Sequence, residues 1–185
     1  MKYKVGDRIG KIHWSTIDAS PIHIPDLEGR IVHLQFSRWA GCPICNMHVA
    51  SFRRRAQEIE RAGIVEVMVF HSPVQDIRDL RGDLPFALVA DPSKVYYKAF
   101  GVQQSPFFLF HPRAFRALRS EAKQGNKAQR IHGGVFGLPA DFVIDPTGRL
   151  IAAHYGQHAD DSLSVDQILT LAGRGQALSI ADKGW

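Results

Sequence analysis

Residues 36–46 read FSRWAGCPICN and contain both cysteines of the 185-residue chain, Cys42 and Cys45. An apolar run over residues 31–36 leads into this stretch, and apolar residues at approximately helical spacing follow it. The order predicts a strand, a tight glycine turn and a helix that begins at Pro43, because proline suits the first helical position. Cys42 is then the N-cap residue of the helix, and Cys45 lies in its first turn.

The predicted helix N-terminus makes Cys42 the candidate nucleophile. The thiolate is the reactive form of cysteine, and a helix N-terminus offers partial positive charge and unpaired N–H groups that favour it. Arg38, four residues earlier, is expected either to add positive charge or to lie in solvent. Cys45 is close enough in sequence to attack an oxidised Cys42 and form a disulfide. The residues therefore predict a nucleophile and a resolving cysteine, in that order.

Two other interpretations of the cysteine pair remain open. Both thiols can be plain core residues, or they can be half of a zinc site that His48 continues as Cys-x-x-Cys-x-x-His. Structural zinc usually takes four ligands in two pairs, and the sequence has no second pair of cysteines. Redox chemistry is the interpretation that the spacing favours, with no metal and no organic cofactor.

Composition limits the class of protein. Apolar residues make up 45% of the chain, and the formal net charge is +5. That apolar fraction supports a sizeable core, and so modest a basic charge indicates little about partners. No apolar run reaches the roughly 18 residues of a membrane span, and the N-terminus has no apolar signal segment. We therefore predict a cytoplasmic protein that binds neither membrane nor nucleic acid and whose cysteines form a working dithiol.

A β-α-β unit is predicted around the cysteines. Residues 43–61 form its helix, and residues 64–70 form a strand that is nearly continuous in apolar residues, as buried parallel strands are. The two strands are then parallel and the crossover is right-handed. His71 follows the second strand at the edge where the carboxyl ends of parallel strands meet. It is expected either to face the cysteines, as a base or hydrogen-bond partner, or to cap a helix in solvent.

The rest of the sequence completes one domain over residues 1–172, followed by a C-terminal tail over 173–185. Short alternating runs near the N-terminus indicate a hairpin or an edge strand, and a second hairpin is predicted from residues 137–145 and 149–155. Residues 103–133 are a basic insertion, which we interpret as a solvated segment or a substrate-side flap. The arginine run at 53–55 indicates a solvated helix face or an anion patch.

Three groups of residues together resemble a known family. They are the cysteine stretch at 39–45, the segment ADPSKVYYKAFGV at 90–102, and GLP at 137–139 followed by FVIDPTG at 142–148. This combination resembles the thioredoxin fold in its peroxiredoxin-like branch, the alkyl hydroperoxide reductase and thiol-specific antioxidant superfamily. The resemblance covers about residues 5–172.

The resemblance implies an α/β fold with a central mixed β-sheet flanked by helices and an insertion before the last β-hairpin. It also implies that Cys42 is the attacking cysteine and Cys45 its resolving partner. Pro139 is then the cis-proline that faces the disulfide in thioredoxin-like proteins. The residues expected to support the cysteine pair are Pro139, Trp39, Arg38, Pro43 and His71.

The sequence departs from common peroxiredoxins at two features. Their Pro-x-x-x-Thr-x-x-Cys pattern has Gln35 and Trp39 at the proline and threonine positions, so the threonine hydroxyl has no equivalent. The peroxiredoxin arginine that precedes the penultimate strand has no clear counterpart, and Arg38 or Arg130 is the candidate to replace it. The Cys-Pro-x-Cys pair itself is similar to glutaredoxin and other disulfide exchangers.

Three functions follow. In the first, the protein is a thiol peroxidase with antioxidant activity, in which a Cys42 sulfenic acid condenses with Cys45 to a redox-active disulfide. In the second, it is a thioredoxin- or glutaredoxin-like disulfide reductase. In the third, it is a non-catalytic redox-sensing or binding module. The first two need a hydroperoxide or disulfide substrate and an external thiol reductant that is thioredoxin-, glutaredoxin- or glutathione-like. A homodimer is expected from the family.

Overall fold

The computed structural model describes residues 2–102 and 137–181. The side chains of residues 43, 44, 46 and 176–181 are not included in that description. The predicted basic insertion at 103–133, with Arg130, lies outside the described residues, and so does the end of the predicted tail.

Twelve elements form in the described residues, seven strands and five helices. The strands are β1 (Ile12–Ser15), β2 (Pro21–Ile24), β3 (Ile31–Phe36), β4 (Ile64–Phe70), β5 (Ala87–Ala90), β6 (Ala140–Ile144) and β7 (Leu150–Tyr155). The helices are α1 (Pro43–Arg54), α2 (Ala56–Arg61), α3 (Val74–Arg81), α4 (Val95–Ala99) and α5 (Val165–Ala181).

Five strands form the central sheet, in the order β5-β4-β3-β6-β7. β3, β4 and β5 are parallel neighbours, whereas β6 is antiparallel to both β3 and β7. β1 and β2 form a separate two-stranded antiparallel sheet. The predicted mixed sheet flanked by helices is therefore confirmed, and β3, the strand that leads to the cysteines, lies at its centre.

Helix boundaries differ from the sequence prediction at two places. The single helix expected over 43–61 is two helices, because Arg55 adopts φ −109° and ψ 17° and its N–H donates to the carbonyl of Phe52 at 3.1 Å. The last helix continues past residue 172, where we expected a tail, through to Ala181. Gly175 permits this packing, because a Cβ there would overlap the side chain of Ile151 on β7.

The apolar core covers both faces of the sheet. Phe52, Ile59, Ile77 and Ile168 pack one face under the helices. The other face carries an aromatic cluster, in which the rings of Phe36 and Phe142 meet edge to face at 5.9 Å. Fully burying one side chain of this size contributes about 1.5–3 kcal/mol, so both faces hold β3 firmly in place.

A buried polar network crosses the three central strands, and the sequence analysis missed it. The Nδ1 atom of His33 lies 2.6 Å from a carboxylate oxygen of Glu66, and its Nε2 atom lies 3.3 Å from Asp141. Burial opposes protonation of His33, but the two carboxylates outweigh it and raise the pKa of His33 to about 10. Gln35 donates to the same Asp141 carboxylate at 3.2 Å. The imidazolium is thus a charge buried between two acids in the middle of the sheet.

Candidate redox site

The cysteine pair lies at the carboxyl edge of the parallel strands, where β3 leads into α1. The N–H of Cys42 donates to the carbonyl of Trp39 at 3.0 Å and closes the predicted turn. The N–H of Ala40 donates to the Ser72 hydroxyl at 3.0 Å, which ties the turn to the segment after β4. Cys42 is the N-cap residue, and the helix begins at Pro43, as the sequence predicts.

The two sulfur atoms are in direct contact. Sγ of Cys42 and Sγ of Cys45 lie 2.7 Å apart, and both residues are free thiols. The exposed fraction is 0% for Cys42 and 7% for Cys45. Trp39, Leu138 and Ala159 complete a small apolar cluster around them. The pair is therefore a closed dithiol in which the Cys45 thiol donates to the sulfur of Cys42.

Arg38 is fully buried beside this pair. Its Nη1 atom lies 3.5 Å from Sγ of Cys42, and its guanidinium lies 4.5 Å from the centre of the Trp39 ring. A cation over an indole face is attracted by the ring, and Trp is the best aromatic partner for this contact. Of the two expectations for Arg38, a charge near the thiols and a solvated side chain, the structure favours the first.

The two thiols ionise in an order that the helix N-terminus alone does not predict. Burial opposes ionisation of Cys45, but the hydrogen bond with Cys42 and the charge of Arg38 outweigh it and lower the pKa of Cys45 to about 7. Burial raises the pKa of Cys42, and the neighbouring Cys45 raises it further. The expectation that Cys42 holds the charge rested on the helix N-terminus and on Arg38, and it omitted burial and the second sulfur. One negative charge forms on the pair near neutral pH, and two do not.

Arg81 is a second cation at the site, and the sequence analysis missed it. It is the last residue of α3, and its Nε atom is buried. Burial lowers the pKa of Arg81, while the charges of Cys45 and Cys42 act in the opposite direction. Arg81 is therefore within electrostatic reach of both sulfurs. No local signal in the sequence identifies it, because its place near the thiols depends on how α3 packs.

His71 lies at the sheet edge where the sequence placed it, and it is fully buried instead of solvated. Its ring centre is 6.5 Å from that of Trp39 and 5.6 Å from that of Tyr97. Gly137 packs on the other side, because a Cβ there would lie 3.0 Å from Nε2 of His71. His71 thus stands in the wall of the site next to Trp39, and its role as a base stays a prediction.

The prediction for Pro139 is wrong in its peptide geometry. The Leu138–Pro139 bond is not cis, and among the described residues the cis bond is the one between Ile24 and Pro25. Leu138, the preceding residue, packs against the sulfurs. The carbonyl of Pro139 accepts the N–H of Gly156 at 2.9 Å, so the chain already continues the pairing of β6 and β7 here. This pairing is compatible with the trans isomer, which X–Pro bonds prefer by about 0.5–1 kcal/mol.

The zinc interpretation finds no support in the contacts of His48. Its Nε2 atom meets the side-chain amide of Gln35. Among residues 2–102 and 137–181, no group of three or more His, Cys, Asp or Glu side chains could hold a metal ion.

None of the helices in the described part of the chain combines the length and apolar character that a membrane crossing requires.

Comparison with known proteins gives a family match and several similar structures. The profile of the AhpC/TSA family matches residues 5–153. The fold is similar to that of peroxidoxin BcpB from Mycobacterium tuberculosis, with a TM-score of 0.65 and 18% identity over 92% of this chain and 97% of that one. No curated protein sequence matches the chain.

Two further structures extend the comparison. PrxQ from Xylella fastidiosa has a TM-score of 0.67 and 14% identity, over 97% of this chain and 99% of that one. A putative thiol:disulfide interchange protein DsbE from Chlorobium tepidum has a TM-score of 0.60 and 18% identity, over 94% and 100%. At these identities the likeness concerns the fold, which a peroxidoxin and a thiol:disulfide interchange protein share.

Proposed function

The chain belongs to the AhpC/TSA family, whose chemistry is thiol-dependent oxidation and reduction, and we propose that it reduces hydroperoxides through Cys42 and Cys45. In this proposal Cys42 is the attacking cysteine and Cys45 resolves its oxidised form. An external thiol donor returns the pair to the dithiol. The sequence predictions of a cytoplasmic location and a homodimer stay predictions.

One observation carries the proposal: two sulfurs 2.7 Å apart are closed off from solvent, with the Arg38 guanidinium 3.5 Å from Sγ of Cys42. A disulfide in a folded protein is bulky and needs an exposed sulfur to react with. A hydroperoxide is small enough to reach a sulfur after a slight opening of the apolar cluster around it. The burial of Cys42 and Cys45 therefore favours the smaller substrate.

The first chemical step is attack of the Cys42 thiolate on the peroxide. Near neutral pH the pair carries one negative charge and one proton, and transfer of that proton to Cys45 leaves the charge on Cys42. The sulfur attacks one peroxide oxygen, an S–O bond forms and the O–O bond breaks. The leaving oxygen takes a proton and departs as water or an alcohol, and Cys42 becomes a sulfenic acid.

The second step joins the two cysteines. The sulfur of Cys45 attacks Sγ of the Cys42 sulfenic acid, which forms the S–S bond and releases water. The short distance between the sulfurs in the reduced protein means that little movement is needed. Two thiol groups of an external reductant then exchange with the disulfide and restore both thiols, so that one peroxide consumes one pair of reducing thiols.

Arg38 supplies the electrostatic support in this mechanism. Its guanidinium stabilises negative charge on Cys42, and its N–H groups can donate to the oxygen that leaves the peroxide. Trp39 occupies the position of the usual peroxiredoxin threonine and holds the guanidinium by a cation–π contact instead. An arginine held in this way takes over the orienting role that the threonine hydroxyl has in common peroxiredoxins.

Disulfide exchange is the second candidate function, and the direct contact between the two sulfurs favours it. A Cys42–Cys45 dithiol can attack a substrate disulfide through one sulfur and release the product through the other. This function requires that the apolar cluster around the pair open far enough to admit a second protein or a bulky thiol.

Stopped-flow mixing of the reduced protein with hydrogen peroxide tests the proposal. Tryptophan fluorescence follows the reaction, because Trp39 packs against both cysteines, and mass spectrometry identifies the product. We expect oxidation far faster than that of a free thiol, ending in a Cys42–Cys45 disulfide. Cys45→Ser should stop at a Cys42 sulfenic acid that dimedone labels, whereas Cys42→Ser should lose the fast reaction.

Two outcomes would contradict the peroxidase. Oxidation no faster than that of a free thiol, together with rapid reduction of a low-molecular-weight disulfide, would establish disulfide exchange. Slow reaction with both substrates would leave the redox-sensing or binding module. Fast oxidation that survives in Cys42→Ser but not in Cys45→Ser would keep the peroxidase and reverse the roles of the two cysteines.

A further inference from the structure

The β1–β2 sheet carries two histidines that converge outside the redox site. His13 and His23 are directly opposite each other in the antiparallel register, and their Nδ1 atoms lie 2.8 Å apart. The two rings are nearly perpendicular, at 81°, with their centres 4.8 Å apart. His13 is exposed and His23 is partly exposed. The pair is thus reachable from solvent.

From this geometry we propose that His13 and His23 form a surface site for a divalent transition-metal ion that takes two imidazole ligands side by side. Neutral imidazole is a common ligand of copper, nickel and zinc. In the metal-free protein one Nδ1 atom donates its hydrogen to the other. The ion takes its place, and that proton moves to an Nε2 atom or to solvent, so that each Nδ1 presents a lone pair.

The separation of the nitrogens indicates the class of metal. With metal–nitrogen bonds of about 2.1 Å, nitrogens 2.8 Å apart subtend an angle of about 85° at the ion. That angle is close to the right angle of square-planar and octahedral ions such as Cu²⁺ and Ni²⁺. Tetrahedral zinc would need the nitrogens about 3.4 Å apart, which the paired strands do not present.

The hairpin holds the two rings in place from its other face. Trp14 stacks on Tyr96 with ring centres 4.0 Å apart, and Ile22 and Ile24 are buried in the core. Within the described residues, neither His13 nor His23 has a hydrogen-bond partner other than the opposite ring. No third His, Cys, Asp or Glu of the described chain joins the pair, so water completes the coordination.

Nickel titration of the full-length protein tests the site. Ni²⁺ does not oxidise thiols, and the cysteine pair is present in every protein compared, so its own nickel binding cancels. Isothermal titration of the unmutated protein should show one more bound Ni²⁺ than His13→Gln/His23→Gln. In each single variant the affinity for this ion should fall by about tenfold or more. One imidazole then binds the ion without the gain in affinity that the second, held at high effective concentration, provides. Ser15→Ala, on the same exposed face of β1, should bind as the unmutated protein does.

Paramagnetic broadening gives a readout that does not depend on any variant. In a ¹H–¹⁵N spectrum of the unmutated protein, Ni²⁺ should first broaden the amide signals of β1 and β2. Equal nickel affinity in the unmutated protein and in the double variant would overturn the site. Broadening that begins at another histidine, such as His154 or His158, would overturn it as well. Neither result bears on the peroxidase proposal, because the redox measurements contain no added metal.

Discussion

The guanidinium of Arg38 lies 3.5 Å from the sulfur of Cys42, and both side chains are completely buried. A buried arginine keeps its charge, so it must be compensated by a nearby anion or by many hydrogen bonds. The dithiol supplies that anion once it loses its first proton. The charge of Arg38 therefore favours ionisation of the cysteine pair, and the thiolate in turn compensates the buried charge of Arg38. The following substitutions test this coupling.

Replacing Arg38 with methionine should slow the reaction with hydrogen peroxide about a hundredfold at neutral pH, the scale seen when one preorganised donor is removed from a catalytic site. The thiol pair should also need a higher pH to ionise. Stopped-flow fluorescence measures the rate, and the ultraviolet absorbance of the thiolate measures ionisation. Arg38→Lys is the matched control, because it keeps the charge but not the planar fork, and it should recover part of the rate. An unchanged rate in Arg38→Met would remove Arg38 from the mechanism.

The rate of thiol oxidation should rise with pH and reach half of its maximum near pH 7. The pKa of Cys45 is lowered to about 7, so the pair is protonated and unreactive below that pH and carries one negative charge above it. A pH series of stopped-flow oxidation or of alkylation rates measures the profile. A half-point near the value of a free thiol, about 8.5, would show that the pair does not acidify as the structure indicates.

Arg81→Gln should slow oxidation at neutral pH, and by less than Arg38→Met does. Arg81 interacts with the charges on Cys45 and Cys42 from the end of α3, so its removal makes the pair harder to ionise. The deficit should shrink as the pH rises, because a sufficiently high pH ionises the pair without help. Arg53→Gln is the control, since it removes an equal charge from an exposed ion pair with Asp83. A deficit that stays constant with pH would indicate that Arg81 does not act through ionisation.

Local sequence predicts the position of the cysteines well because the determinants are local. The apolar strand, the turn and Pro43 fix the start of α1, and these features place Cys42 at the N-cap. The burial of Arg38 and the electrostatic interaction of Arg81 with the pair depend on tertiary packing. No spacing along the chain specifies that packing.

The buried network was missed for a related reason. His33 pairs with Glu66 and approaches Asp141 only through the registers of β3 with β4 and β6. A lone histidine in an apolar run has many structural explanations, and a one-residue shift of register would direct it to the other face. The cis bond expected at Pro139 came from the resemblance of a local motif, which does not by itself fix the isomer of the bond.

Replacing His33 should strongly destabilise the fold. His33→Gln leaves Glu66 and Asp141 buried without their cation, and breaking a buried ion pair by removing one partner costs about 3–5 kcal/mol. Urea denaturation at pH 7 measures the free energy of unfolding. Adding Glu66→Gln to His33→Gln should recover part of the loss, because one of the two unpaired acids is then neutral. A loss of only a few tenths of a kcal/mol would show that the network contributes little.

The same network predicts how stability depends on pH. The pKa of His33 is raised to about 10 in the folded protein, against about 6.5 in an unfolded chain. Its contribution to the free energy of unfolding is therefore complete below about pH 6.5 and is lost as the pH rises toward 10. Unfolding free energies measured from pH 6.5 to 10 should fall more steeply for the unmutated protein than for His33→Gln. Parallel curves would mean that His33 does not stay protonated when folded.

Two glycines of α5 give a matched pair of substitutions for the packing of the last helix. A Cβ at Gly173 meets nothing within 4 Å, whereas one at Gly175 overlaps Cδ1 of Ile151 on β7. Gly173→Ala should stabilise the protein by about 0.5–1 kcal/mol, because alanine restricts the unfolded chain and favours helix. Gly175→Ala gains the same helix preference but must displace Ile151, which typically costs about 1–3 kcal/mol. Thermal and urea unfolding should therefore shift in opposite directions for the two variants. Equal stabilisation by both would mean that α5 does not pack on β7 through Gly175.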